Sequence, residues 1–358
     1  MKYAKILRNF IVGVVILLLL IAMVVIVIDP FYHYHKPLFG TKAVLTEKEY
    51  QCIGSLKHFD YDAVIVGSSV AENYNNHWFD EDFSCNSIKA IRSYGATADL
   101  CYFLDVALEN NDIKYVFYNI DPSALTSMPY ETFEETGCPM YLYDDNPFND
   151  VEYLYNKDVL LSRIPYTLAK SLSNDVDEGE SYNWGQWKEF NLDMITGLYM
   201  RHPSVAPMKD VHAYDESFDA NLELLESRVA DNPDTQFYFF IPPYSMFWWD
   251  NVYREGDTEF YLYAIEETST RLRKYDNVRF SCFIDDRDVV TNVEENYMDV
   301  LHFRPEINHY MEKCLADGSM EINDTNIRER MDNMRSLAYE ITDKLMEPYV
   351  PMIKEDIE

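Results

Sequence analysis

Cations are scarce in this chain: 30 lysines and arginines stand against 62 acids over 358 residues, a formal charge of −32. So negative a surface repels phosphate backbones before contact, which excludes nucleic-acid binding by charge neutralisation. Glycine and proline are also few, 11 and 15, and this excludes collagen-like and linker-like compositions. No C-x-x-C pair and no H-E-x-x-H occurs, so a zinc site has no support, and no metal or cofactor is expected. The spacing of the six cysteines (Cys52, Cys85, Cys101, Cys138, Cys282 and Cys314) leaves disulfide pairing open. Cys85, Cys101 and Cys282 each sit in an apolar stretch and read equally well as small buried residues. What the chain does have is aromatic and apolar mass. At 15% and 47% these exclude a disordered chain and supply the core of one large domain or two small ones.

Phe10 to Ile28 is a run of 19 residues without a charged or strongly polar side chain. As a helix it spans roughly 28 Å, close to the hydrocarbon thickness of a bilayer. A cleaved signal peptide is the alternative. Its apolar core would be shorter, about 7–15 residues, and followed by a small-residue cleavage site, whereas Asp29-Pro30-Phe31-Tyr32 follows here. A retained anchor over residues 10–28 is therefore expected. Lys2, Lys5 and Arg8 crowd the N-terminal flank, which places residues 1–9 in the cytoplasm and the rest outside the cell. Phe31, Tyr32 and Tyr34 suit the outer interface.

Beyond a membrane-proximal segment, 29–59, short apolar runs alternate with helical patterns. Ala63-Val64-Ile65-Val66 ends at Gly67, Tyr115 to Tyr118 and Phe237 to Ile241 follow, and Val278 to Phe283 comes last. Helical spacing separates them over Ala96–Leu108 and Thr258–Lys274. This alternation predicts an α/β domain over residues 60–320 with a mainly parallel sheet flanked by helices. A Tyr-, Asp-, Asn- and Pro-rich stretch at about 122–215 breaks the rhythm and reads as an insertion. Residues 321–358 read as a closing helix and an acidic tail.

Reactive groups in such a sheet collect beyond the carboxyl ends of the strands. Gly67-Ser68-Ser69 lies there, and so does Asp299-Val300-Leu301-His302 after the last strand. A serine after a turn glycine is either an exposed nucleophile or a helix cap. A carboxylate three residues before a histidine can hold Nδ1 and leave Nε2 free as a base. Ser93-Tyr94-Gly95 is either a backbone donor for an oxyanion or an ordinary turn. Trp184, Trp187, Trp248 and Trp249 could stack on sugar rings or fill the core.

Taken together, Gly67-Ser68-Ser69, Asp299-x-x-His302, Gly95, Glu72-Asn73 and Ile241-Pro242-Pro243-Tyr244-Ser245 resemble the SGNH (GDSL-like) hydrolase superfamily. The paired serines and the anchor look like its membrane-anchored branch, similar to DltD-like and alginate O-acetylation-like proteins. Ser68 stands where aspartate is usual, and the G-x-N-D element is not reproduced, since Tyr118-Asn119-Ile120-Asp121 has no glycine. The resemblance implies a flavodoxin-like three-layer fold. It also implies Ser69 as nucleophile, Asp299 and His302 as its partners, and Gly95 and Asn119 as oxyanion donors. The implied activity is acyl transfer (acetyl or D-alanyl) to a surface glycan or teichoic acid, with a multi-pass membrane O-acyltransferase as partner. A carbohydrate acetyl-esterase and a non-catalytic scaffold remain as alternatives.

Overall fold

The computed structural model describes residues 2–173 and 176–355. In chain order its main elements begin with α1 (Lys2–Ile28), α2 (Lys48–His58), β1 (Ala63–Gly67), α3 (Asn76–Phe83), β2 (Ser87–Ile91), α4 (Thr97–Asn110) and β3 (Tyr115–Asn119). Then follow α5 (Val151–Leu154), α6 (Ile164–Leu172), α7 (Leu192–Leu198), β4 (Met200–Arg201), α8 (Asp215–Asp231), β5 (Gln236–Ile241), α9 (Met246–Arg254) and α10 (Thr258–Leu272). The chain finishes with β6 (Val278–Cys282), α11 (Arg287–Val290), α12 (Pro305–Asp317), α13 (Ile327–Glu340) and β7 (Lys354–Glu355). These elements fall into two compact units, Met1–Phe59 with Phe133–Ser181, and Asp60–Thr132 with Tyr182–Glu358.

The second unit is α/β. Five strands run parallel in the order β2-β1-β3-β5-β6, with Val64 beside Ile88 and Val116, and Phe237 beside Val116 and Val278. Every residue of β1 is buried, because a sheet covered on both faces needs continuous apolar strands. The winding reverses between β1 and β3. β1 to β2 runs to one side and all later strands to the other, so right-handed crossovers send α3 and α4 to opposite faces. α4, α8 and α10 pack together in one layer, and α3 packs with α12. A reversal of this kind leaves a crevice outside the carboxyl ends of β1 and β3.

The first unit is built around α1. Asp29 follows its last turn with φ +43° and is fully buried. Its carboxylate accepts from the N–H groups of His33 (3.0 Å), Tyr34 (2.7 Å) and His35 (3.0 Å) and from the Tyr153 hydroxyl (2.8 Å). Asp150 holds His33 at 3.2 Å and Tyr34 at 3.0 Å. Residues 29–35 are thereby tied to residues 150–153. α1 is long and apolar enough to cross a membrane.

Two expectations change. Only residues 133–181, and not 122–215, leave the α/β unit, and they join residues 1–59. Residues 182–215 stay with the sheet because their partners are remote in sequence. Tyr199 and Arg201 both bond the buried Asp250, at 2.8 and 2.7 Å. The closing segment stays there too, with α13 passing into a wide turn at Ile341–Leu345. All six cysteines are reduced thiols.

Candidate active site

Strand β1 ends at Gly67, where the chain must turn sharply. A Cβ here would stand 2.7 Å from that of Ala71 and 3.0 Å from that of Asn119, so only glycine fits. Ser69 then opens a single 3₁₀ turn, Ser69–Ala71, and its hydroxyl faces the crevice. Asp299 and His302 arrive on the loop before α12. That loop is tethered to the end of β5: Ser245 donates to the Val300 carbonyl from its N–H (3.1 Å) and hydroxyl (2.9 Å), and the Tyr297 hydroxyl donates to Pro243 (2.6 Å). Across the turn, the Asn308 amide of α12 donates to the Val70 carbonyl at 2.9 Å.

These tethers bring three side chains together from positions more than two hundred residues apart. Asp299 Oδ2 lies 2.8 Å from His302 Nδ1, and His302 Nε2 lies 2.7 Å from Ser69 Oγ. An ionised carboxylate can only accept, so Nδ1 carries the ring proton and Nε2 accepts from the serine. The other oxygen, Asp299 Oδ1, accepts the N–H of Leu301 (2.9 Å) and of His302 (2.7 Å). Burial raises the Asp299 pKa, but the bonds and charge of His302 and the two backbone donors outweigh it. The carboxyl ends below its ordinary range and stays ionised. The arrangement can polarise the Ser69 hydroxyl for attack on a carbonyl.

A cavity of about 320 Å³ opens on Ser69 and His302 and is lined in part by Gly95, Asp121, Tyr244 and Met128. Of the two expected oxyanion donors, Gly95 is at the cavity but its N–H donates to the Arg92 carbonyl at 3.1 Å. Asn119 is fully buried at the end of β3, outside the lining, and its amide donates to Asp121 at 3.3 Å. The Gly95 N–H is thus engaged, as is one of the two Asn119 amide hydrogens. The Ser69 N–H, by contrast, has no backbone acceptor among the described residues.

Four site residues were missed or left undecided at the level of sequence. Asp121 is buried against the cavity, where it receives the Tyr244 hydroxyl and the Ser68 hydroxyl. Burial pushes its pKa up against those bonds and against the charge of His302. Trp184 sets its ring edge-on to His302, centroids 5.3 Å apart, and donates its indole N–H to the Ser69 carbonyl at 3.3 Å. Asn73 accepts the N–H groups of Trp184 (3.0 Å) and Gly185 (2.8 Å), which fixes that loop on the turn that carries Ser69. Tyr94 stands 91% exposed at the rim with φ +54°, a strained backbone for a residue with a side chain. The Tyr94–Gly95 turn was the one local signal that pointed to the rim. Among the described residues, no group of three or more His, Cys, Asp and Glu could hold a metal ion. Comparison with protein-family models, with curated proteins and with solved structures returned no match.

Proposed function

We propose that this chain is a membrane-anchored serine acyltransferase of SGNH type, with α1 as a retained single span, its N-terminus in the cytoplasm and the α/β unit outside. One observation carries the reading: Ser69, His302 and Asp299 form a continuous hydrogen-bonded relay at 2.7 and 2.8 Å, opening on a cavity beyond the sheet. Ser69 Oγ bonds to the carbonyl carbon of an ester or thioester while His302 Nε2 takes its proton. The bond to the leaving oxygen or sulfur then breaks, and the proton passes to that group. A sugar or polyol hydroxyl, deprotonated by the same nitrogen, takes the acyl group and frees Ser69. The small cavity suits a short acyl group such as acetyl or D-alanyl, and its open side suits a polymer acceptor, either a surface polysaccharide or a teichoic acid. A multi-pass O-acyltransferase in the same membrane is the expected donor, and tethering raises the effective concentration of one for the other. Ser68, at the position where the resemblance most often has aspartate, reaches the carboxylate of Asp121 instead.

The engagement of the Gly95 N–H by Arg92 favours a second reading, a scaffold without chemistry, because losing one oxyanion donor costs about 10²–10³ in rate. A fluorophosphonate probe decides between them. Labelling of the full chain that disappears in Ser69→Ala supports the enzyme, and an unlabelled wild type supports the scaffold. With purified acetylated glycan, rapid release of free acid without any membrane partner would replace transfer by hydrolysis.

A further inference from the structure

Helix α1 needs lipid almost to its end. Met23, Val24, Ile26 and Val27 are exposed apolar side chains within its last two turns. On its opposite face the helix is already occupied. Ala22 and Val25 are buried, α5 and α6 pack along it, and the Tyr155 hydroxyl donates to the Leu18 carbonyl at 3.3 Å. From Leu18 to Val27 is about 14 Å of helix. A bilayer that stopped short of Leu18 would leave the span too short to cross, and one that covers Val27 must meet the elements packed beside it.

The surface of those elements fits that environment. Along residues 161–173 the exposed side chains are Leu161 (73%), Ser162, Pro165, Tyr166, Ala169 and Leu172 (76%), ending at Ser173. None is charged, in a chain where 26% of residues are. Both cations of the segment, Arg163 and Lys170, are half-buried, and Arg163 pairs with Glu47. Helix α8 shows what a water-facing helix of this protein looks like, since it exposes Glu216, Asp219, Glu223 and Asp231. An uncharged outer face with one tyrosine is the pattern of a helix lying at the boundary of headgroups and acyl chains.

We propose that α6 and the turn before it rest in the membrane interface beside α1, so that the first unit is partly embedded in the bilayer as well as tethered to it. Exposed Glu152, Lys157 and Asp158 nearby leave that flank with a single net negative charge, which makes neutral or zwitterionic headgroups the fitting surface. The proposal depends on α1 spanning the bilayer and is independent of the chemistry of Ser69.

The test uses the full chain, purified and reconstituted in phosphatidylcholine nanodiscs. Nitroxide labels are placed singly at Leu161→Cys and Leu172→Cys, and at Glu223→Cys as the water-facing control. Unsubstituted protein gives the background from the native thiols, of which five are buried and Cys85 is half-buried. Collision with dissolved oxygen should exceed collision with a water-soluble nickel chelate several-fold at 161 and 172, with the reverse at 223. Equal nickel access at all three positions would overturn the proposal. Exclusion of both reagents at 161 and 172 would overturn it as well, by showing a face covered by protein. Since both side chains are mostly exposed, each variant is an independent reading should the other fail to fold.

Discussion

Asp299 accepts three hydrogen bonds, two from backbone and one from the His302 ring, and so fixes both the loop and the tautomer. Asp299→Asn keeps the shape but can donate to Nδ1, which puts the proton on Nε2 and removes the base. Acyl transfer should fall by about 10⁴ with little change in melting temperature. Ser69→Ala should abolish covalent labelling. Glu312, on the buried side of α12, provides a pH signature. Burial followed by the charge of Asp82 pushes its pKa up to about 7, and the Lys313 ammonium 3.8 Å away offsets this only in part. The folded chain therefore holds a proton that the unfolded chain has already released above pH ~4.5. Stability should decline as pH rises from the ordinary carboxylate range to about 7 and level off beyond it, on the order of 3 kcal/mol from this group. Glu312→Gln should flatten that slope in pH-resolved unfolding and raise stability at pH 8.

Among the elements, the loop carrying Trp184 is held by groups far from it in sequence. Lys89, fully buried on β2, donates from Nζ to the Glu72 carbonyl (2.7 Å) and to Asn183 (2.6 Å), next to the Asn73 contacts. Lys89→Met strands two acceptors and should cost about 1–3 kcal/mol. It should also lower transfer by releasing Trp184 from His302, and tryptophan fluorescence together with kcat would register the loosening. Contacts of this sort explain what the sequence could and could not reveal. β1, β3, β5 and α10 announce themselves through unbroken apolar runs or a 3.6-residue period, because burial against neighbours writes a local pattern. Gly67-Ser68-Ser69 and Asp299-x-x-His302 are legible for a related reason: their chemistry needs fixed short spacings. Asp121, Tyr244 and Trp184 have no such spacing, and their roles arise from strand order and loop tethers. Residues 182–215 likewise show no period and are held by Asn73 and Asp250 from elsewhere in the chain.

For the whole molecule, the thiols and the charge make two further predictions. With all six cysteines reduced, a reducing agent should leave the melting temperature unchanged, and a drop would mean that disulfides form. A net charge of −32 repels itself, so raising salt from a few millimolar to ~0.15 M, where screening sets in within about 8 Å, should raise the melting temperature. The composition of the first unit bears on biogenesis. It is assembled from residues 1–59 and 133–181, with the first three strands of the sheet made in between. At about 5–20 residues per second, the early stretch waits on the order of ten seconds for its partner to leave the ribosome. Through that interval Asp29 has no Tyr153 and His33 has no Asp150, so the first unit cannot close until residues 133–181 have been made.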